Sequence, residues 1–596
     1  MKKRIKKKTE KNKSKNKSTA KKSKVRKSHV KKCKTKTIQK RKNKNRRDNN
    51  RLHVNKIKIE TTSKNLIDCA GIIPFMLFLN KFGFFKLVDK RLHLPKRIEG
   101  YRASDIIKII FANILIFSSN PRLQNIDLLR ENEGLKMILE MKDIPSSTTV
   151  GRFLYKYANV NLNKKNERLG HENGLELLGN LFCETAVITL KEMGKDINPV
   201  LDIDAFIIDE NKKYSKWTYK KGKGTTGYGG FIDGVCVMLE LEPGNHSPND
   251  NIFKRTISAI EIAKKAGINI QIVREDAAGY VADLINYCEE NEIKFYIRAS
   301  NDDAVKKSIM TIVPRKEGKK RGYEGEQLES CWKEAEIKIA GNNKTTTKTI
   351  GVAVHAMDKT NAFNLVTQRT EIITKPEKPD LTKLPTFEND PEIQYICRAI
   401  ATNDLKNSGK KVTEIYNQRG DASENYNKEL VGGFGLGDLP AGGEYGLEVN
   451  RGYAYIIGML YNLMHIYKKN CFDDIENEFQ KETEKETEKE TDKKVGKKVG
   501  KKQEHNYRLS TLTRNFFRIP AIVSSHSKIL TITMANYMEE KADLLDLLLE
   551  EVKEKIKVHR TPKEPPNYIQ LIFRNNSGLA TAGGVPLSAV EIKKDE

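Results

Sequence analysis

The chain has 596 residues, 31% of them charged, and a formal net charge of +30. That length exceeds what one hydrophobic core organises, so several packed units are expected. Eight cysteines with no CxxC pair and no His at zinc spacing argue against a disulfide framework or a zinc finger and for a reduced, cytoplasmic setting.

The charge surplus is concentrated at the start. Residues 1–50 hold 25 Lys or Arg against only Glu10 and Asp48, so +23 of the +30 belongs to this stretch and +7 to everything after it. A like-charged, nearly aromatic-free tail buries too little apolar surface to offset its ordering entropy, so residues 1–60 are expected to be disordered. Counterion release draws such a tail to polyphosphate without sequence choice, which makes nucleic acid the expected partner; a purely solubilising role fits the same charges. The apolar stretches 69–79 and 106–117 are too short for a membrane span or are broken by Lys108, and no apolar signal core follows the first charges.

Residues 61–195 read as a helical region, whose pattern suits a DNA-binding role and a scaffold equally. Apolar residues recur at three- and four-residue spacing over 67–79, 103–117, 134–141, 148–157 and 175–193. From 199 the period changes to two. Over 200–208 the alternation puts Asp202 and Asp204 on one face and Leu201, Ile203 and Ala205 on the other. Gly-rich turns around 222–230 lead to a strand at 231–242, a helix at 251–266, a strand over 268–275 ending at Asp276, a helix over 277–291 and a strand at 294–299.

The expected order is therefore three antiparallel strands, helix, strand, helix, strand. It matches the ribonuclease H-like α/β fold, in which the first and fourth strands are neighbours and would bring Asp204 beside Asp276. On this reading 196–301 is the first part of the core, 302–395 a β-rich insertion, and 396–475 the second part, with Glu424 on a helix starting near 420. Residues 476–505, with their Lys-Glu-Thr-Glu and Lys-Lys-Val-Gly repeats, form a charged linker, and 506–596 a C-terminal region. The apolar helix 452–468 reads as core.

Carboxylates gathered on rigid elements can hold paired hard cations that activate water and neutralise a phosphodiester under attack. Each acid also has an ordinary reading. Asp204 could be a strand-end surface residue, Asp276 a helix N-cap, and Glu424 half of an i,i+4 pair with Lys428; Asp202 competes with Asp204, since both project to one face.

Residues 416–430, Tyr-Asn-Gln-Arg-Gly-Asp-Ala-Ser-Glu-Asn-Tyr-Asn-Lys-Glu-Leu, resemble the signature around the catalytic glutamate of bacterial insertion-sequence DDE transposases, especially the group numbered 1380, related to the group numbered 4. The likeness extends to Phe434, Leu439-Pro440 and Leu460-Tyr461-Asn462-Leu463 downstream and to 147–154, 201–205, Pro243-Gly244-Asn245 and Arg274-Glu275-Asp276 upstream. It implies Asp204, Asp276 and Glu424 as catalytic metal ligands for two Mg²⁺ ions, with Mn²⁺ as a substitute. Tyr416, Arg419 and Lys428 would contact DNA. It further implies metal-dependent cleavage and strand transfer on double-stranded DNA, namely terminal inverted repeats and target DNA, by a homodimer associated with the nucleoid. Three positions depart from the pattern: four residues separate Arg419 from Glu424 where three are usual, Val431 stands in place of a lysine, and Phe206 in place of a threonine.

Overall fold

The computed structural model describes residues 65–92, 100–118, 120–158, 174–194, 197–310, 333–339, 344–374, 392–443, 445–472, 516–526, 529–534 and 539–556. The basic tail, the charged repeats and the end of the chain beyond 556 lie outside the described residues.

After a two-residue strand β1 (Leu66–Ile67), the first described region is helical: α1 (Ile73–Phe82), α2 (Phe84–Arg91), α3 (Ala103–Ile116), α4 (Asn125–Leu129), α5 (Glu133–Leu139), α6 (Ser147–Ala158) and α7 (Gly174–Met193). The periodic stretch 67–79 is not one helix. Its start pairs as β1, its end continues to Phe82, and the chain breaks at Gly83, whose φ of 90° is open to glycine at little cost. β1 pairs with β12 (Ala521–His526), which pairs with β13 (Ile529–Met534), so the last folded piece closes onto the first. Helix α13 (Glu539–Lys555) packs near α1.

Ten strands make one mixed sheet. They are β2 (Val200–Asp209), β3 (Lys216–Trp217), β4 (Lys223–Ile232), β5 (Val235–Pro243), β6 (Ile272–Glu275), β7 (Lys294–Arg298), β8 (Lys333–Ile339), β9 (Lys344–His355), β10 (Phe363–Thr374) and β11 (Glu392–Thr402). The order is β3-β4-β2-β6-β7-β11-β10-β9-β8, with β5 on β4. β6 is parallel to both β2 and β7, and the remaining pairs are antiparallel.

The helices between the strands are α8 (Ile252–Lys265), α9 (Ala282–Glu290) and α10 (Asp303–Met310), followed by α11 (Gly409–Lys428) and α12 (Gly446–Tyr467). The element sequence expected over 200–299 is present with two corrections. The Gly-rich stretch 222–230 is not a set of turns but most of strand β4, paired with β2 from Gly224 to Ile232, and the strand expected over 231–242 divides at the Asp233-Gly234 turn into the end of β4 and β5. The helix expected over 277–291 is a 3-10 turn (Ala277–Gly279) followed by α9. The strands read as a β-rich insertion do not stand apart, because β11 pairs with β7 and carries β10, β9 and β8 as a continuation of the same sheet.

β5 is buried on both faces, so its alternation does not mark one wet side. Buried Glu240 and Glu242 on this strand are held by Arg255 of α8 and Arg451 of α12, each pair including a contact of 2.7 Å. Helix α12 is core from Gly446 onward, as its apolar composition implies, and Asn462 within it both accepts from and donates to the Cys236 backbone of β5.

Candidate active site

β2 and β6 run side by side in parallel, with Asp202 opposite Arg274 and Ile203 opposite Glu275. The next step of that ladder brings Asp204 alongside Asp276. Alternation makes Asp202, Asp204 and Arg274 share the sheet face on which α11 lies. Arg274 Nε and Nη2 each donate to one Asp202 carboxylate oxygen at 2.6 Å, and Arg274 Nη1 donates to the Ile415 carbonyl of α11 at 2.9 Å. One buried guanidinium thus braces β2, β6 and α11, the three elements that carry the candidate acids. Its fork takes both oxygens of Asp202, which leaves Asp204 as the less committed carboxylate of the two.

On α11, Arg419, Ser423 and Asn427 recur every four residues and face the sheet. Arg419 Nη1 lies 3.2 Å from Asp204 Oδ1, with the two side chains 12% and 13% exposed. Ser423 Oγ donates to the Arg419 carbonyl at 3.0 Å and reaches Asp204 Oδ2 at 3.5 Å. Asn427 presses on Gly229 of β4, where an added Cβ would strike Asn427 Oδ1 and come within 2.8 Å of the Phe231 ring, so the helix sits this close only over glycine.

Glu424 follows Ser423 by one residue and is therefore turned about 100° around the helix. Its carboxylate is 55% exposed and meets Lys428 Nζ at 3.2 Å, the ordinary i,i+4 pair. The fourth residue after Arg419, which faces Asp204, is serine. Tyr416 is half-buried beside the cluster of Tyr296, Ile350, Val366, Ile400 and Val412, with the Arg419 guanidinium 5.4 Å from its ring centre. Asp276 accepts from the Ala278 amide at 2.9 Å and caps a single 3-10 turn. The structure thus gathers Asp204, Asp276, Arg419 and Tyr416, and leaves Glu424 and Lys428 on the outer flank of the same helix.

The electrostatics report the same grouping. Burial, followed among the raising influences by the charges of Asp276 and Glu424, lifts Asp204 to about 6 against the pull of Arg419. Burial works against the charge of Arg419, but Tyr416, Asp204 and Asp276 outweigh it and hold its pKa above the ordinary value. Glu275 points to the opposite face of β6, where Thr256 Oγ1 of α8 donates to it at 2.6 Å and its second oxygen has no partner; burial pushes it up to about 8.

Asp204 and Asp276 carry the hard carboxylate oxygens a divalent cation takes, and the positive charge beside them in this structure is that of Arg419, with which a cation would compete for Asp204. Among the described residues no three His, Cys, Asp or Glu side chains stand close enough to hold one ion. Sequence reasoning missed Arg274, Ser423 and Glu275. The first was accessible, because Arg274 and Asp276 share the two-residue spacing of Asp202 and Asp204 on a neighbouring strand.

Compared with known proteins, residues 49–484 match the family model described as transposase DDE domain group 1. No curated protein matches. Among solved structures, the cryo-EM structure of a piggyBac transposase synaptic complex with hairpin DNA aligns at 9% identity and a TM-score of 0.30, covering 78% of this chain and 97% of that one. Among the described residues no single helix is long and apolar enough to cross a membrane.

Proposed function

The chain belongs to the transposase DDE domain group 1 family, and on that premise we propose that it cleaves DNA and transfers strands for an insertion sequence of the kind numbered 1380, using an RNase H-like core. The order β4-β2-β6-β7, with β2 and β6 parallel, supports the core assignment. The observation that carries the reading is that Asp204 on β2 feels the charge of Asp276, which directly follows the adjacent parallel strand β6, with Arg419 of α11 ion-paired to Asp204.

Asp204 and Asp276 would hold Mg²⁺ or Mn²⁺, with Glu424 as third ligand once α11 turns by one residue's rotation. When bound, the ions supply charge neutralisation at the phosphate and an activated water or 3′-hydroxyl. Arg419 suits bidentate contact with a phosphate oxygen pair, and Tyr416 fixes that guanidinium by packing beneath it. Lys428, 63% exposed, is free to leave Glu424 for a phosphate. The partners on this reading are the element's terminal inverted repeats and target DNA, held by a homodimer near the nucleoid.

The domain boundaries read from sequence follow the same proposal: 1–60 tail, 61–195 DNA-binding helices, 196–301 and 396–475 core, 302–395 insertion, 476–505 linker and 506–596 C-terminal region. The outward position of Glu424 favours a second reading, a decayed copy that binds DNA without cutting it, over a nuclease that lacks strand transfer. Purified wild-type chain and Asp276→Ala, incubated with supercoiled plasmid and Mg²⁺ or Mn²⁺, decide between them. Nicking abolished by Asp276→Ala supports the proposal, and a wild type that binds but never nicks supports the decayed reading.

A further inference from the structure

Between β2 and β4 the segment 211–223 carries six lysines and no acid, and Lys213, Lys216, Lys220, Lys221 and Lys223 are exposed. Within it Trp217 and Tyr219 stand 64% and 65% exposed, among the most exposed large apolar side chains described. They are not on a loose loop. Lys216 and Trp217 pair with Gly224 and Lys223 as strand β3, the Thr218 amide donates to the Gly222 carbonyl at 2.7 Å, and Thr218 itself is buried. At the root, Asn450 Nδ2 of α12 donates to Tyr214 Oη at 2.5 Å, and Lys212 is ion-paired with Glu210 at 2.9 Å. The alternation buried at 218, exposed at 217 and 219, turns two aromatic rings outward from an anchored hairpin, with Lys220 Nζ 5.9 Å from the Tyr219 ring centre.

Exposed rings cost hydration unless something covers them. The surrounding lysines repel a second copy of the same surface and attract a polyanion, while flat rings offer sequence-tolerant stacking to bases whose faces are free. Duplex ends or single strands present such faces, and uninterrupted duplex does not. The hairpin leaves the sheet at the end toward which both β2 and β6 run. Lys216 lies twelve residues after Asp204, but its partner Gly224 also pairs with Asp209, so the hairpin starts level with a point on β2 five residues, about 17 Å of extended strand, past Asp204.

We infer that the Lys216–Lys223 hairpin is a binding site for unpaired DNA bases, with Trp217 and Tyr219 as the stacking platform and the exposed lysines on the flanking phosphates. The choice of DNA as ligand rests on the transposase reading; the placement of the site does not.

The test exploits the chain's two tryptophans, Trp217 and Trp332. In full-length Trp332→Phe protein at 0.3 M NaCl, where tail electrostatics are screened, Trp217 emission is followed during titration with dT20 and with a blunt 20-base-pair duplex. Stacking predicts quenching by dT20 and little by duplex. In anisotropy assays the Trp217→Ala/Tyr219→Ala protein should bind dT20 at least about fivefold more weakly, the lower bound for loss of one stacked base, with duplex affinity within about twofold.

Unmoved emission at saturating dT20, or equal weakening toward both DNAs, overturns the inference. So does a Trp217 emission change that tracks protein concentration together with a dimer, seen in sedimentation, that the double substitution abolishes, because the rings then serve a protein contact. Plasmid nicking by the same preparations separates the two proposals: quenching without nicking retains the hairpin site and sinks the catalytic reading, and nicking without quenching does the reverse.

Discussion

Replacing Arg274 by Met removes the brace among β2, β6 and α11 while keeping most of its volume. The side chains of Arg274 and Asp202 are 7% and 6% exposed, and the substitution leaves the Asp202 carboxylate buried with no counter-charge. Breaking a buried pair from one side costs about 3–5 kcal/mol, a large part of the roughly 5–15 kcal/mol that holds a folded protein together.

The sign of the pH dependence follows. Burial raises the Asp202 pKa, and the hydrogen bonds and charge of Arg274 pull it back; without them it rises further. A folded-state pKa raised above the unfolded value gives stability that is full at low pH and lost as pH climbs through the folded pKa. The deficit of Arg274→Met relative to wild type should therefore be large at pH 8 and shrink toward pH 5, as the fall in pH favours the protonated form of the stranded Asp202. Adding Asp202→Asn should recover part of the loss at pH 8. Urea unfolding followed by far-ultraviolet circular dichroism at both pH values measures this. A deficit under about 1 kcal/mol at pH 8, or one that Asp202→Asn deepens, refutes the brace, since it was to be large and relieved by removing the stranded charge.

Because Asp204 sits at about 6, nicking activity should fall as pH drops through that value, and Arg419→Ala, which removes a lowering influence, should move the midpoint of any residual activity upward; a downward move contradicts the assignment. Glu275, raised to about 8, is protonated at neutral pH. It contributes stability that is full below its ordinary 4.5 and is lost as pH rises toward 8, so Glu275→Gln should flatten the decline of the melting temperature between pH 5 and 8, and parallel wild-type and variant curves would speak against it. Deleting residues 1–50 should lower the slope of log affinity against log salt for duplex DNA by about 0.9 for each phosphate that the tail neutralises, and an unchanged slope would show that the tail does not touch DNA.

The core strands were legible because their periods are clean. The two-residue alternation of 200–208 follows from an apolar face carrying Leu201 and Ile203 opposite a face carrying Asp202 and Asp204. β4 was misread because glycine lacks the side chains that betray a strand. The Asp233-Gly234 turn that joins it to β5 was the available signal for a hairpin. The joining of β1 to β12 across more than 450 residues leaves no local trace.

At the candidate site, the acids Asp204 and Asp276 could be placed from strand order, but the azimuth of Glu424 could not. The residue count between Arg419 and Glu424 did hold that information: four intervening residues put Ser423 over Asp204 and carry the carboxylate of Glu424 outward to Lys428. The bracing of Asp202 by Arg274 distinguishes two same-face aspartates that alternation alone leaves equivalent, and it is the reason Asp204 is the one proposed as a ligand.

Mn²⁺ binding, followed by electron paramagnetic resonance of the free ion, goes to the centre of the account. Wild type should bind with an affinity that Asp204→Asn, Asp276→Asn and Glu424→Gln each reduce at least about tenfold, one ligand's worth of about 1.4 kcal/mol. Binding that survives the two aspartate substitutions unchanged would contradict it.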